Sequence, residues 1–424
     1  MMTPPIKKIS NKPTFYQINL PEKTEKIYLD INLKTGYADE DEKMFGVGHL
    51  IEHYLMCLLF EKKDGKNLST NAQVGLGSTN YSLISTNKKI LKEIKTFLDS
   101  VLKPNFNEAG LFNREKKVIE NELRTKLNFN HRKVFDLILK KRFENKCYYS
   151  RDFSEQIKNI RNKKITHIQE YYNQFFNNQN IVFTLSGYKL DKKMVEKIFD
   201  IVKDYKISSE NRTKTKQQIC NYSKFCVVKS SKIQLNNDVL LVVSFPLFKN
   251  TEIDQKEKII INMIEKFLSY SDLSFAKKIR NIGIYSSDFD WFSWKEAGLV
   301  IFSITVPEQK LYNFIEIFNN SICELKNGLI DQKELNYAKK KAIQNTKNAF
   351  KNNINRLNWI THDLLTLGKV VLPKEDVRDI KNIDRKSIAN IIKKLFVLEK
   401  ANIIFVGKKL ENIKTEEIKK AFKF

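Results

Sequence analysis

The chain repeats one order of secondary-structure elements at about half its length. Residues 84–127 read as a strand end, a helix, a glycine and a second helix, and the same order returns from residue 304. The two halves also end alike, because an apolar, β-rich run that ends in glycine leads into an amphipathic helix at 178–199 and again at 399–422. This repeat predicts two α+β domains of similar fold, each a mostly antiparallel sheet covered by helices.

The join between the repeats is expected at residues 207–218, a polar stretch with the composition of a linker. The predicted domains are therefore 1–206, which carries the candidate metal site described below, and 219–424. Candidate strands are short apolar or β-branched runs bounded by turn residues. They fall at 26–34, 73–84 and 181–186 in the first half and at 224–229, 238–245, 298–306 and 402–406 in the second.

The net positive charge raises the question of whether the protein binds nucleic acid. Lys and Arg number 75 against 49 Asp and Glu, a formal net charge of +26. The basic residues are mostly Lys and are spread along the chain, and no basic run is interleaved with aromatic residues as a base-stacking groove requires. We interpret the charge as a solvated surface and expect no nucleic-acid partner. The alternative, a non-catalytic scaffold or nucleic-acid-binding protein, predicts steeply salt-dependent binding and no metal requirement.

Cysteine usage and hydropathy favour a cytoplasmic protein without a membrane span. The five cysteines form neither a metal-type doublet nor a dense disulfide framework. The most apolar window, residues 44–60, is shorter than the ~20 residues that span a bilayer, and it contains Glu52 and two histidines. The first 20 residues hold no apolar run that would serve as a signal peptide.

The segment His-Leu-Ile-Glu-His at residues 49–53 carries the strongest chemical signal. On a helix, His49 and His53 stand one turn apart on the same face, where two neutral imidazoles bind one Zn²⁺ and leave room for a third ligand and a water. Glu52 lies on the same side and is placed to take a proton from that water. The surrounding run is apolar, so these polar groups need a partner. A chance pair of core histidines is the alternative.

A third ligand is expected from the helix that begins near residue 107. Glu115 and Glu122 are seven residues apart and so share one helix face, whereas Glu120 falls on roughly the opposite side and is interpreted as facing solvent. We predict Glu122 as the metal ligand and Glu115 as the residue that orients a ligand. An ordinary surface helix is the alternative.

The H-x-x-E-H pattern with a downstream glutamate resembles the inverzincin metallopeptidases, the M16 family of pitrilysin, insulin-degrading enzyme and the mitochondrial processing peptidases. The duplicated α+β halves are similar to that family's unit, and the length resembles its half-size, M16B-like branch. The resemblance implies one Zn²⁺ per chain, held by His49, His53 and Glu122, with Glu52 as general base. It also implies that two chains pair around a closed chamber.

Two further matches to the family are weaker. Asn71 and Ala72 resemble an edge strand to which substrate backbone adds, with a plain loop as the alternative. Arg280 and Tyr285 resemble a pair that holds a substrate carbonyl oxygen, although their spacing is one or two residues shorter than usual. A surface Arg and a core Tyr are the alternative there. The second half contains no H-x-x-E-H, and Lys340 stands roughly where Glu122 would repeat.

These observations predict a zinc-dependent endopeptidase that cleaves peptides or unfolded segments inside a chamber formed by a dimer. The alternative is the zinc-bearing subunit of a heterodimeric processing peptidase, inactive without a homologous partner. Such a pair would suit the maturation of a small secreted bacterial peptide. The expected partners are thus a peptide substrate and a second M16-like subunit, identical or homologous.

Overall fold

Two mixed sheets, described by a computed structural model, organise the protein. The structure describes residues 6–86, 88–143, 148–205, 207–208, 222–231, 238–247, 253–294, 297–408 and 410–424. Of the expected linker at 207–218, residues 209–218 lie outside this part of the chain. None of the helices in the described ranges combines the length and the apolarity that crossing a bilayer requires.

The first sheet orders its strands β1-β2-β6-β3-β5-β4. The strands are β1 (Ile6–Asn11), β2 (Thr14–Leu20), β3 (Lys26–Leu33), β4 (Ser69–Val74), β5 (Thr79–Thr86) and β6 (Ile181–Tyr188). Strands β2 and β6 pair in parallel, and every other neighbouring pair is antiparallel. Strand β6 is buried along nearly its whole length, as its run of Ile, Val, Phe and Leu predicts.

The second sheet repeats this pattern in the order β7-β11-β8-β10-β9. Its strands are β7 (Cys226–Ser230), β8 (Asp238–Leu247), β9 (Ser287–Ser293), β10 (Gly298–Pro307) and β11 (Asn402–Val406). Strands β7 and β11 are parallel, as β2 and β6 are, and the other pairs are antiparallel. The predicted fold class, two similar α+β domains, is therefore confirmed.

Helices flank both sheets in the same order along the chain. The first series is α1 (Val47–Glu61), α2 (Ile90–Leu102), α3 (Ala109–Asn128), α4 (Asn130–Arg142), α5 (Phe153–Arg161), α6 (Ile165–Phe175) and α7 (Lys192–Lys203). The second series is α8 (Gln255–Ser269), α9 (Ser274–Asn281), α10 (Leu311–Lys326), α11 (Gln332–Ala349), α12 (Asn353–Thr366), α13 (Pro373–Asn382), α14 (Arg385–Leu395) and α15 (Thr415–Ala421).

The two structural units do not coincide with contiguous halves of the sequence. Unit 1 consists of Met1–Leu127, Asp152–Gln217 and Lys351–Val370, and unit 2 consists of Asn128–Arg151, Gln218–Phe350 and Val371–Phe424. Helix α12 therefore belongs to unit 1, where its Leu357, Ile360 and Leu364 pack with Ile18 and Leu20 of β2. The expected domains, 1–206 and 219–424, differ from the units because an amphipathic pattern marks the buried face of a helix without identifying its partner.

Helix α4 shows the reverse case, because it lies in the first half of the sequence but belongs to unit 2. Its last residue, Arg142, is fully buried and donates hydrogen bonds to the carbonyl oxygens of Lys400 and Ser244, each at 2.7 Å. A buried guanidinium that donates to two backbone carbonyls fixes the end of α4 beside β8 and β11.

One predicted strand is in fact a hairpin. The single strand expected at 73–84 divides into β4 and β5, joined by a turn in which the Gly75 N–H donates to the Ser78 carbonyl at 2.8 Å. The sequence interpretation also missed β1, β2 and β9, in which polar and charged residues interrupt the apolar pattern.

Candidate metal centre

The first turn of α1 is held by a buried carboxylate that precedes it in the chain. Glu40 is fully buried, and its two oxygens accept hydrogen bonds from the backbone N–H groups of Gly46 (2.7 Å) and Gly48 (2.6 Å). These N–H groups have no acceptor within the helix, and the helix dipole also favours a negative charge here. Gly46 has φ +92°, and a Cβ at this position would lie 2.6 Å from Gln156 Cγ, so glycine is required where the helix begins.

Three polar side chains of α1 share one side of the helix. The His49 and His53 rings cross edge to face, with centroids 4.9 Å apart, and Glu52 Oε2 lies 3.9 Å from His49 Nε2. The exposed fractions of the side chains are 6% for His49, 13% for Glu52 and 20% for His53. This face of α1 is therefore largely desolvated, and it opens toward solvent at His53.

Helix α3 brings Glu122 to the two imidazoles. Glu122 Oε2 lies 3.3 Å from His53 Nε2 and 3.7 Å from His49 Nε2. The other oxygen, Oε1, accepts a hydrogen bond from the Lys126 ammonium one turn further along α3. The lysine thus occupies one carboxylate oxygen and leaves the other directed at the histidines.

The second carboxylate on this face of α3, Glu115, lies behind His53. Its side chain is only 5% exposed, and its Oε2 is 3.3 Å from His53 Nδ1. An ionised carboxylate only accepts hydrogen bonds, so Nδ1 carries the proton in this pair. In the neutral imidazole this contact leaves Nε2, the nitrogen beside Glu122, as the atom that would bind a cation.

The pKa shifts follow from burial and from the neighbouring charges. Burial, together with the nearby His53, lowers the pKa of His49 to about 4, so its imidazole is neutral near pH 7. The His53 hydrogen bond holds the pKa of Glu122 at about 2, although burial opposes this. Burial raises the pKa of Glu52, which brings the carboxyl closer to the range of a working proton acceptor.

The pKa of His53 is shifted in the opposite direction to that of His49. Burial alone would lower its pKa, but the hydrogen bond to Glu122, the charge of Glu52 and the hydrogen bond to Glu115 outweigh burial and raise the pKa. Three carboxylates around one imidazole form an environment that favours a positive charge.

The donor atoms fit a divalent zinc ion. His49, His53 and Glu122 each offer one ligand atom, and the three atoms lie within 4.8 Å of one another. Two ligands at ~2.1 Å from a tetrahedral ion are about 3.4 Å apart, which agrees with the observed separations of 3.3 and 3.7 Å. Two imidazole nitrogens and one carboxylate oxygen form a donor set typical of catalytic zinc sites, in which the fourth position is open.

A model of a known protein family matches part of the chain. The family model described as "Peptidase M16 inactive domain" matches residues 164–342. That segment follows the two α-helices that carry the metal-site residues, and it spans parts of both units. Residues 164–342 are therefore similar to a domain of the peptidase M16 family. A search of curated protein sequences finds no match.

Several solved structures share the M16 fold over nearly the full length of the chain. A protease from Helicobacter pylori superposes with a TM-score of 0.79 at 14% identity, covering 96% of this chain and 100% of the other. A chain of complex III2 from Candida albicans with Inz-5 bound has a TM-score of 0.79 at 12% identity, covering 99% of each chain. An M16-like peptidase from Alicyclobacillus acidocaldarius has a TM-score of 0.75 at 14% identity, covering 95% of this chain and 97% of that one.

Asn71 and Ala72, expected on an edge strand, lie in β4. Among the described strands β4 pairs with β5 and ends the sheet, with Asn71 opposite Ser82 and Ala72 opposite Tyr81. Helix α1 lies next to β4, so the free edge of the sheet borders the helix that carries both histidines. The structure therefore excludes a plain loop here.

Arg280 and Tyr285 belong to unit 2, whereas the candidate metal residues belong to unit 1. Arg280 is exposed near the end of α9, and its guanidinium lies 3.5 Å from the Ser271 carbonyl. Tyr285 is 85% exposed, so the alternative interpretation of a core tyrosine is wrong.

No equivalent donor set is found among the described residues of the second unit. Helix α8 has the same length as α1, but Ile260 and Ile261 occupy the helix positions that Glu52 and His53 occupy in α1. Lys340 is an exposed residue of α11. These residues agree with the asymmetry expected from the sequence.

Two residues near the centre were missed in the sequence. Glu40 lies in the acidic run Asp-Glu-Asp-Glu at 39–42, which has the composition of a solvated loop, so nothing in the sequence marked it as buried. Tyr81 is fully buried, and no hydrogen-bond partner for its hydroxyl is found among the described residues. Burial raises the pKa of Tyr81, and the charge of Glu52 adds to this rise.

Proposed function

We propose that the protein is a zinc-dependent endopeptidase of peptides or unfolded segments. The observation that carries this proposal is the convergence of His49 Nε2, His53 Nε2 and Glu122 Oε2, with the Glu52 carboxylate beside them. Metal-type donors and a free carboxylate on one desolvated helix face are the parts that hydrolysis of an amide requires.

Each group at the metal centre has a separate role in the proposed hydrolysis. One zinc ion per chain would polarise the scissile carbonyl and make a water more acidic. Glu52 accepts a proton from the attacking water and passes it to the leaving amine, a role suited to its raised pKa. Glu115 holds the His53 ring through Nδ1, so that Nε2 faces Glu122.

The substrate would bind along the free edge of β4. Backbone groups of Asn71 and Ala72 would pair with an extended peptide, which places its scissile bond beside α1. In the proposed mechanism Arg280 and Tyr285 donate hydrogen bonds to the oxyanion that forms. A dimer of this half-size M16 chain would enclose the substrate and select it by size and by its ability to extend.

Cleavage of a mixed peptide library by the purified chain tests this function. Products are read by mass spectrometry, with Glu52→Gln as the blank and bound zinc measured in both proteins. We expect zinc-dependent products from the wild type, a rate about 10²- to 10⁴-fold lower in the variant, and equal zinc content. Cleavage that persists in the variant would refute the assigned base, and loss of zinc would show that Glu52 is a ligand.

The second candidate is the zinc-bearing subunit of a two-chain processing peptidase. Two observations favour it: the short spacing between Arg280 and Tyr285, and the likeness to a chain of complex III2, a multi-subunit assembly. A wild-type chain that holds one zinc and cleaves nothing would support this candidate. Activity should then appear when a homologous chain without H-x-x-E-H is added.

A further inference from the structure

We infer that Arg114 is a positioning residue for the metal centre, acting through Glu115 on His53. This inference rests on the zinc site of the proposed function and adds to it a residue that touches none of the candidate ligands. Arg114 would hold the carboxylate that holds the imidazole, and so set how well the site is preorganised for a metal ion.

A continuous chain of polar contacts connects Arg114 to the site. Its Nε donates to Glu115 Oε1 at 3.1 Å, while Glu115 Oε2 faces His53 Nδ1 at 3.3 Å. Both oxygens of Glu115 therefore have different, fixed partners, one cation and one imidazole. A carboxylate bound at both oxygens cannot rotate without breaking one of these contacts, so Arg114 restricts the direction from which Glu115 meets His53.

Arg114 and Glu115 are buried to very different extents. The Glu115 side chain is 5% exposed, whereas the Arg114 side chain is 54% exposed. A surface ion pair contributes little because water solvates both charges equally well when they separate. Here one charge is desolvated, and its loss of the cationic partner would leave a buried carboxylate with only the His53 imidazole and the Cys57 thiol beside it.

Arg114 also links the two helices that carry the candidate ligands. The terminal nitrogens of its guanidinium donate to Glu61 Oε1 at 3.2 and 3.1 Å, and Glu61 is the last residue of α1. His49 and His53 lie on α1, and Glu122 lies on α3, the helix of Arg114 itself. One guanidinium thus ties the end of α1 to α3, and its planar set of donors is suited to binding two carboxylates at once.

Arg124 provides a matched control on the same helix. Its side chain is 53% exposed, close to that of Arg114, and it also pairs with a glutamate, Glu120, at 2.7 Å. Glu120, however, makes its other ion pair with Arg161 rather than with an imidazole. Arg124 therefore matches Arg114 in charge, exposure and helix. It differs in that its carboxylate partner contacts a second arginine rather than an imidazole, and in that the contacts of Arg124 are with Glu120 of the same helix.

The test measures zinc affinity of the full chain by competition with a chromophoric chelator. We expect Arg114→Met to weaken zinc binding about tenfold, within the 10- to 100-fold range of substitutions behind a metal ligand. Arg114→Lys should fall in between, because a single ammonium cannot reproduce the two-carboxylate contact. Arg124→Met should stay within about twofold of the wild type.

A double-mutant cycle separates positioning from general stability. If Arg114 acts through Glu115, Arg114→Met should weaken zinc binding no further in a Glu115→Gln background. Additive losses, or a lowered thermal midpoint of the metal-free protein with unchanged zinc affinity, would overturn the inference. A wild-type chain that binds no zinc would overturn both proposals, whereas tight zinc binding without cleavage would refute only peptidase activity of the chain on its own.

Discussion

Replacing Glu40 by Gln should loosen the first turn of α1, the helix that carries His49 and His53. Glu40 accepts one hydrogen bond on each oxygen, from the N–H groups of Gly46 and Gly48. Glutamine retains a single acceptor oxygen and places an NH₂ group where the second acceptor was, so one N–H loses its partner and faces another donor. The negative charge at the helix N-terminus is lost as well.

The magnitude follows from these two losses. A hydrogen bond to a charged group contributes about 1.5–3 kcal/mol, and a charge at a helix N-terminus about 0.3–1 kcal/mol. We therefore expect the variant to lower the free energy of opening the α1 N-terminus by about 2–4 kcal/mol. At 1.36 kcal/mol per factor of ten, this is about a 30- to 900-fold faster amide exchange.

Hydrogen exchange followed by mass spectrometry measures the rate of amide exchange at the start of α1. Peptides from this region are compared with peptides from unit 2 of the same sample. Glu42→Gln is the matched control, since Glu42 is an exposed carboxylate of the same acidic run. Exchange at the start of α1 that changes less than threefold in Glu40→Gln would refute the capping argument. An equal acceleration in both variants would show that net charge, rather than the two hydrogen bonds, is responsible.

Three further predictions concern the metal centre. Glu122→Gln should weaken zinc binding more than about 100-fold in equilibrium dialysis, while Glu120→Gln leaves it unchanged; the reverse result would transfer the third ligand to Glu120. Arg280→Ala should lower kcat/KM about 10²-fold with zinc content unaltered, and an unaltered rate would remove Arg280 from the mechanism. Since the neighbouring carboxylates raise the pKa of His53, the apparent affinity for zinc should begin to fall, as the pH is lowered, at a pH above that expected for an unperturbed histidine. An onset well below about pH 6.5 would contradict this.

The candidate site was predictable where it depends on local spacing. Residues four apart on a helix share a face, and so do residues seven apart, which is why 49–53 and the pair Glu115 and Glu122 could be recognised as two facing sets. Arg114 lies in the same segment, but no pattern in the sequence indicated a role for it at the metal centre. An arginine beside a glutamate is ordinary on a surface helix, and only the burial of Glu115 gives the pair its importance.

The fold was predictable where the pattern repeats and less so where a partner had to be chosen. The recurrence of strand, helix, glycine and helix predicted two similar α+β domains, and the two sheets have corresponding strand orders apart from β1, which only the first sheet contains among the described strands. The exchange of α4 and α12 between the units was not predicted. Each helix has an apolar face that must pack against another apolar surface. The sequence pattern does not specify which of the apolar surfaces in the molecule that is.

The sequence by itself determined the duplicated architecture and the identity of the donors at 49–53, because periodicity and side-chain chemistry are properties of short segments. Only the tertiary structure decided that Glu122 Oε2 meets both imidazoles, and that Glu40 is buried beneath the first turn of α1. Glu122 and the two histidines lie far apart in the chain. Their distances depend on how α1 and α3 pack over the sheet, which is a sum of many weak interactions that no single motif encodes.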